Sequence, residues 1–464
     1  MKKLSKILLC LACCLLTAFT GFGCNTNKPT SQPAQINGIK KEDVNPAAYQ
    51  GLPIVDIFTQ NNIYPKDKET YINCSFAISG CENESYNFAV SLKQKYGDND
   101  SVGIRLRGNT TKDLAKKPYR IKFDNKKSLL GLAENKSWVL LADYLDYSDI
   151  KNYTGLLLGN TMDNLAFTPS PNHVVLFLNG YYQGLYILCE QIDANAGRVD
   201  IKTDITASDT SFPFLVEMGL NSLQEGKVGV DTFAPNYFQP IEIKYPKSDE
   251  RIPGENDVIF DYIQEYINAV FELLKTDKTT LTVSFADTPV SFEDLVDIDS
   301  FIEYWLVNEI MFNSDSMRKS IYMYKSKTGK LQFGPLWDFD TSMSTIFEGE
   351  PINTLEPELA NRLCIFVSDT TIRHYINNQT SCKKIAEVWQ SVKSKVIATI
   401  NHLQTYRSKI TTAASYDAQY WYGLHGPEKF NTHYDYVINF LTARYTYLDY
   451  QLTEANLLHL FELD

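Results

Sequence analysis

Two carboxylates one residue apart, Asp338 and Asp340 in the stretch LQFGPLWDFDTSM (331–343), carry the sharpest chemical signal in the chain. In an extended strand, side chains two apart point the same way, so the pair is expected to share one face at a strand end. Like charges held together raise one another's proton affinity unless a cation intervenes. A hard divalent ion such as Mg²⁺ meets that need, because it takes one or two carboxylates and completes its shell with water and phosphate oxygens. A bare Asp-x-Asp is more often a solvated acidic turn, so its surroundings must decide.

Upstream lies SFIEYWLVNEIMF, where Ser300 and Glu303 stand at capping-box spacing. This helix is apolar on more than one face and is expected to be buried. It runs into NSDSMRKSIYMYKSKTGK, which reads as a loop bearing Asp315, a strand and a Thr-Gly-Lys turn. The next strand delivers Asp338 and Asp340. One hairpin thus brings three carboxylates within reach of one another.

The segments before residue 246 read mostly as strands: LPIVDIF, YINCSFAIS, YNFAVSL, SWVLLA, FLVEMG with Glu217, and IEIKYP with Lys244. VGIRLRG and PYRIKF alternate and flank a loop that carries Arg107, Asn109, Thr110, Thr111, Lys116 and Lys117. In the second of these strands Tyr119, Ile121 and Phe123 face one side, and Arg120 and Lys122 the other. Cations and backbone donors of this kind suit a phosphate-bearing ligand, although lysines also guard ordinary hairpin edges. HVVLFLNGYYQGLYILCEQID is a hairpin with Asn179-Gly180 at its turn. Its final Glu190 is either a rim charge or an ion-pair partner for a lysine. One helix, around Tyr153, Leu156, Leu157 and Asn160, interrupts the β region. From residue 252 the periodicity is helical, and residues 344–464 read as helices rich in Tyr and Trp, whose aromatics are expected to be core.

The 464 residues suffice for one large or two medium domains. The first 23 residues join a basic start (Lys2, Lys3, Lys6) to a run of roughly 15 apolar residues, an export signal. Gly23-Cys24 resembles a lipobox, so the chain is expected to be an envelope lipoprotein with a lipid on Cys24 as its membrane contact; the alternatives are plain secretion and an uncleaved anchor. A polar tether is expected over 24–50. Loss of the three signal lysines moves the formal charge from -12 to -15, which argues against a nucleic-acid partner. Of nine cysteines, only Cys74 and Cys81, across a possible hairpin, are candidates to pair in an oxidising compartment, and the sequence leaves that pairing open. No Cys/His spacing fits zinc.

A loop Asp, a hairpin and a second Asp follow the order in which kinase-like folds supply a catalytic base and a metal ligand. RGNTT, KKPYRIKF, NGYYQGLYILCEQID, NSDSMRKSIYMYK and GPLWDFD, in this order, resemble the CotH family of spore-coat kinase-like proteins over roughly residues 52–345. The resemblance implies an α+β, two-lobed, atypical protein-kinase-like fold, with a β-rich lobe over 51–250 and a mainly helical lobe over 251–464. It implies transfer of the ATP γ-phosphoryl to Ser or Thr of a coat or surface protein, with Mg²⁺ or Mn²⁺. By position Asp315 would be the base and Asp338 the metal ligand, with Asp340 assisting. Lys117 or Lys122 would contact phosphates, Glu190 would partner a lysine, and Arg107 and Asn109 would lie near the nucleotide. Ser320 stands where the family commonly carries an Asn that serves as a second metal ligand. The export signal is a second departure, since spore-coat members act inside the mother cell. Two other functions compete: a non-catalytic surface or coat-assembly platform, and a metal-dependent phosphoesterase.

Overall fold

Alternating apolar residues build a closed sheet in the N-terminal half. The computed structural model describes residues 38–49, 51–206, 208–219, 228–236, 239–251, 257–316, 318–345, 355–364, 375–376 and 379–462. The expected export signal and most of the expected tether lie outside these residues. The strands are β1 (Ile54–Thr59), β2 (Ile72–Ser79), β3 (Phe88–Val90), β4 (Val102–Leu106), β5 (Tyr119–Lys127), β6 (Asn135–Leu141), β7 (Asn172–Leu178) and β8 (Tyr181–Glu190). Their order is β1-β7-β8-β6-β5-β4-β2, and β1 pairs again with β2 to close the ring. Closure removes the free edges, with β3 appended along β2. The inward side chains, among them Val55, Phe76, Ile104, Ile121, Phe123, Trp138 and Leu188, fill the barrel. Tyr119, Ile121 and Phe123 point inward as their alternation predicts. Asn179 and Gly180 both take positive φ, 54° and 80°, as a tight hairpin turn requires.

A second antiparallel sheet collects β9 (Phe214–Met218), β10 (Thr232–Phe233), β11 (Ile241–Tyr245), β12 (Ile321–Lys325) and β13 (Gln332–Phe333) in the order β10-β11-β9-β12-β13. The helices are α1 (Lys151–Thr161), α2 (Val258–Lys275), α3 (Phe292–Leu295), α4 (Ile298–Ile310), α5 (Gln379–Tyr422), α6 (Glu428–Gln451) and α7 (Glu454–Glu462). The architecture is therefore α+β, β-rich first and helical later. At 1.5 Å per residue, the 44-residue α5 is about 66 Å long. It packs against α1, α6 and the outer face of β8, so β7 and β8 are buried on both faces. Trp389 and Tyr434, from the aromatic-rich C-terminal third, are core residues.

Four expectations need correction. Helix α4 starts at Ile298 and is capped by Asp297, which accepts from the Ser300 N–H (2.9 Å); Ser300 lies in the first turn, and Glu303 instead accepts from Asn164. An aspartate at the N-cap satisfies the orphan donors first. Cys74 and Cys81 are both buried free thiols, because they lie on and just beyond a single strand rather than across a hairpin. In the supposed tether, residues 40–49 lie on the barrel: the Lys41 N–H donates to the Gly180 carbonyl (2.8 Å) and its ammonium pairs with Asp56 (2.6 Å). Finally, β13 is only two residues long, so Asp338 and Asp340 lie beyond any strand.

Candidate functional site

A cleft of about 610 Å³ opens between the outward face of β4 and β5 and one face of the second sheet. Arg105 and Arg120 are cross-strand partners on the first wall. On the second, Glu217 of β9 is flanked by Glu242 of β11 and Tyr322 of β12. Lys244, two residues along β11 from Glu242, bridges Glu217 (2.6 Å) and Glu242 (2.7 Å). Burial alone would lower its pKa, but the two glutamates outweigh that and raise it.

Asp315, Asp338 and Asp340 all line this cleft. Asp315 follows α4, pairs with Lys319 (3.1 Å) and sits in a loop held to the second Asp segment. Asn313 makes that link by donating from Nδ2 to the Asn308 side chain (3.0 Å) and the Asp338 carbonyl (3.3 Å). The Met343 N–H reaches back to the Phe312 carbonyl (3.1 Å). Asp338 occupies the left-handed region (φ 70°), uncommon for a residue with a Cβ. Turn geometry, not strand alternation, thus presents both carboxylates. Behind them α1 makes a close approach: a Cβ on Gly155 would sit 2.3 Å from the Phe339 ring.

The floor is short of positive charge. Burial pushes the Asp338 carboxyl up; the Ser320 hydroxyl, which donates to its Oδ2 (2.9 Å), and Arg107 oppose the shift. Burial, then Asp338, Asp143 and Asp315, hold Asp340 well above the carboxylate range, with Lys151 opposing. Asp143, also lining the cleft, is raised to about 7 by burial and by Asp146. These acids suit a divalent cation, which neutralises carboxylates that would otherwise repel. Among the described residues no three His, Cys, Asp or Glu side chains converge as a complete metal cage. A cation here needs further oxygens from water or a ligand.

Of the other residues singled out in the sequence, Arg107 and Asn109 line the cleft. The Arg107 guanidinium lies over the Trp337 ring (5.1 Å), and Asn109 accepts from Lys68 (2.8 Å). Gly108 between them has φ 84°, and a Cβ there would meet the Thr111 hydroxyl at 2.1 Å. Lys117, Lys122 and Glu190 are not among the lining residues. Lys122 shares a face with Arg120 but lies two residues, about 7 Å, further along β5, exposed and near Tyr71. Glu190 is buried and accepts from the Ser170 N–H (2.6 Å) rather than from a lysine, because β8 ends against the Pro-rich loop.

The sequence reading also overlooked lining residues. Asp143 and Asn152 flank the cleft floor, although Asp143 follows an apolar strand just as Asp338 follows its own apolar run. Glu217 and Lys244 were visible as strand residues, but only the register of β9 against β11 joins them. Lys116 forms a buried pair with Asp417 of α5 (2.9 Å), three hundred residues distant, for which no local signal exists.

A family model described as CotH kinase protein matches residues 104–448. The chain belongs to the CotH family. The matched span includes every lining residue of this CotH-family cleft except Lys68 and Glu69. No curated protein matches the chain significantly.

Proposed function

We propose that the chain is a kinase that transfers the γ-phosphoryl of ATP to a Ser or Thr hydroxyl of a coat or surface protein. The observation that carries this reading is that Asp315, Asp338 and Asp340 line one cleft together with the Arg107–Asn109 glycine loop. In this reading the β-rich and helical parts act as the two lobes of an atypical kinase, and the phosphates lie between them. Mg²⁺ or Mn²⁺ held by Asp338 and Asp340 supplies charge neutralisation at the phosphates.

The remaining work falls to the chain's own side chains. Asp315 accepts the hydrogen bond of the acceptor hydroxyl and orients its oxygen toward the γ-phosphorus. As the new P–O bond forms, the bond to the β,γ-bridging oxygen breaks, ADP leaves with that electron pair, and the hydroxyl proton passes to Asp315. Lys319, paired with Asp315, holds that carboxylate in place. Arg107 adds positive charge beside the phosphates. Positioning and electrostatics of this kind are what phosphoryl transfer chiefly requires. The export signal directs the activity to an envelope or coat acceptor.

Calorimetric titration with ATP, with and without Mg²⁺ or Mn²⁺, tests the reading. Metal-dependent binding is expected in the parent, lost in Asp338→Ala and kept in Asp315→Ala, which removes only transfer. An Asp338→Ala protein that binds Mg·ATP like the parent refutes the metal assignment. A parent that binds no ATP at millimolar concentration refutes the kinase reading in favour of a scaffold.

A further inference from the structure

The cleft floor holds an aspartate that the reaction above leaves unused. Asp143 sits two residues beyond β6 with its backbone in the left-handed region (φ 46°), a conformation that costs a residue with a Cβ of order 1 kcal/mol. It is 7% exposed and lines the cleft. Its Oδ1 accepts from Asn152 Nδ2 (2.7 Å), whereas its Oδ2 is buried without a hydrogen-bond partner. A buried carboxylate oxygen with neither donor nor cation is unfavourable and calls for a ligand.

The way Asp143 is held is equally specific. Asn152 uses its other end, Oδ1, to accept from the Phe339 N–H (2.8 Å), the peptide between Asp338 and Asp340. One amide side chain thus fixes Asp143 relative to both cleft aspartates and leaves one Asp143 oxygen over. Of the buried cations nearby, Lys116 bonds to Asp417 and to the Leu185 carbonyl (2.6 Å), and Lys151 is shared between Asp146 and Asp340. Across the floor, Ser320 spends its hydroxyl on Asp338.

We propose that Asp143 and Asp340 together hold a second divalent cation, which binds only with nucleotide. Two carboxylates are too few for an all-protein cage but enough for a Mg²⁺-type ion that takes its other oxygens from phosphate and water. The site stands in for the Asn replaced by Ser320, and it rests on the kinase reading because the nucleotide supplies the missing ligands.

The test counts Mn²⁺ bound to the purified full-length chain, by electron paramagnetic resonance, with a non-hydrolysable ATP analogue. Asp143→Asn keeps the side-chain shape and the bond from Asn152 while removing the charge; unfolding curves without metal verify that it folds. The parent is expected to bind about two Mn²⁺ per analogue and Asp143→Asn about one, with analogue affinity reduced tenfold or less. A parent that binds one Mn²⁺, or an Asp143→Asn protein that still binds two, overturns this inference and leaves the kinase reading standing. A parent that binds no analogue overturns the kinase reading and this inference with it.

Discussion

Charge is buried in two regions of this molecule, under opposite rules. Where α5 meets the barrel, Lys116 and Asp417 are both within 1% of full burial, and every polar atom is used: Asp417 also accepts from the Leu185 N–H (2.7 Å). Arg444 of α6 repeats the pattern with Glu309 of α4, adding backbone carbonyls of Glu309 and Arg362. At the cleft floor, Asp143, Asp338 and Asp340 gather with far less compensation, and one oxygen has no partner at all. Saturated pairs hold elements together, whereas an unsaturated cluster of one sign is a place for something that arrives later. A bonded partner of opposite charge, rather than burial or place in the cleft, separates the two classes, since Lys116 lines the cleft as well.

The strongest way to break this contrast is to remove one half of a saturated pair. Lys116→Met leaves Asp417 buried and uncompensated and should cost about 3–5 kcal/mol in urea unfolding. Adding Asp417→Leu should recover most of it. A loss below about 1 kcal/mol for the single change would place this pair in the same class as the cleft acids.

The pH dependence of the metal-free protein sharpens the other side. Asp143 titrates near 7 when folded and near the ordinary Asp value of 3.8 when unfolded. Its contribution to stability is full below the unfolded value and is lost as pH rises to about 7. Asp340 is raised in the same direction. Metal-free stability should therefore fall between pH 4 and 7, by up to about 1.4 kcal/mol per pH unit for Asp143. Denaturation midpoints across that range check it, and Mg·ATP should flatten the slope.

Two smaller effects bracket the cleft. Gly155→Ala drives a methyl into the Phe339 ring and should cost about 1–3 kcal/mol while weakening Mn²⁺ binding, because Phe339 separates the two aspartates. Lys122→Ala, on the exposed end of β5, should change stability by less than about 0.5 kcal/mol and leave nucleotide affinity unaltered. An equal loss of affinity in both variants would mean that the cleft extends along β5.

Much of the β region was legible locally. Alternation in PYRIKF assigned its inward face correctly, and Asn179-Gly180 announced its hairpin, because strand period and turn chemistry depend on neighbours in sequence. The grouping of Asp315, Asp338 and Asp340 was also readable, since a single short hairpin joins them. The route differed: Gly334-Pro335 ends β13 early, and a left-handed Asp338 does what an extended strand was expected to do. Lys122 and Glu190 show the limit of such reasoning, for their types suited phosphate and lysine while their positions along the strands took them out of the cleft.

The sequence by itself determined the α+β class, the family and the three aspartates nearest the expected chemistry, because each is written in residues close together along the chain. Tertiary structure decided which cations reach those aspartates, that Asp143 joins them through Asn152, and that Lys116 belongs to Asp417 instead. Those outcomes depend on strand register and on where a 44-residue helix crosses the barrel. Such contacts join residues hundreds of positions apart, and no local pattern encodes them.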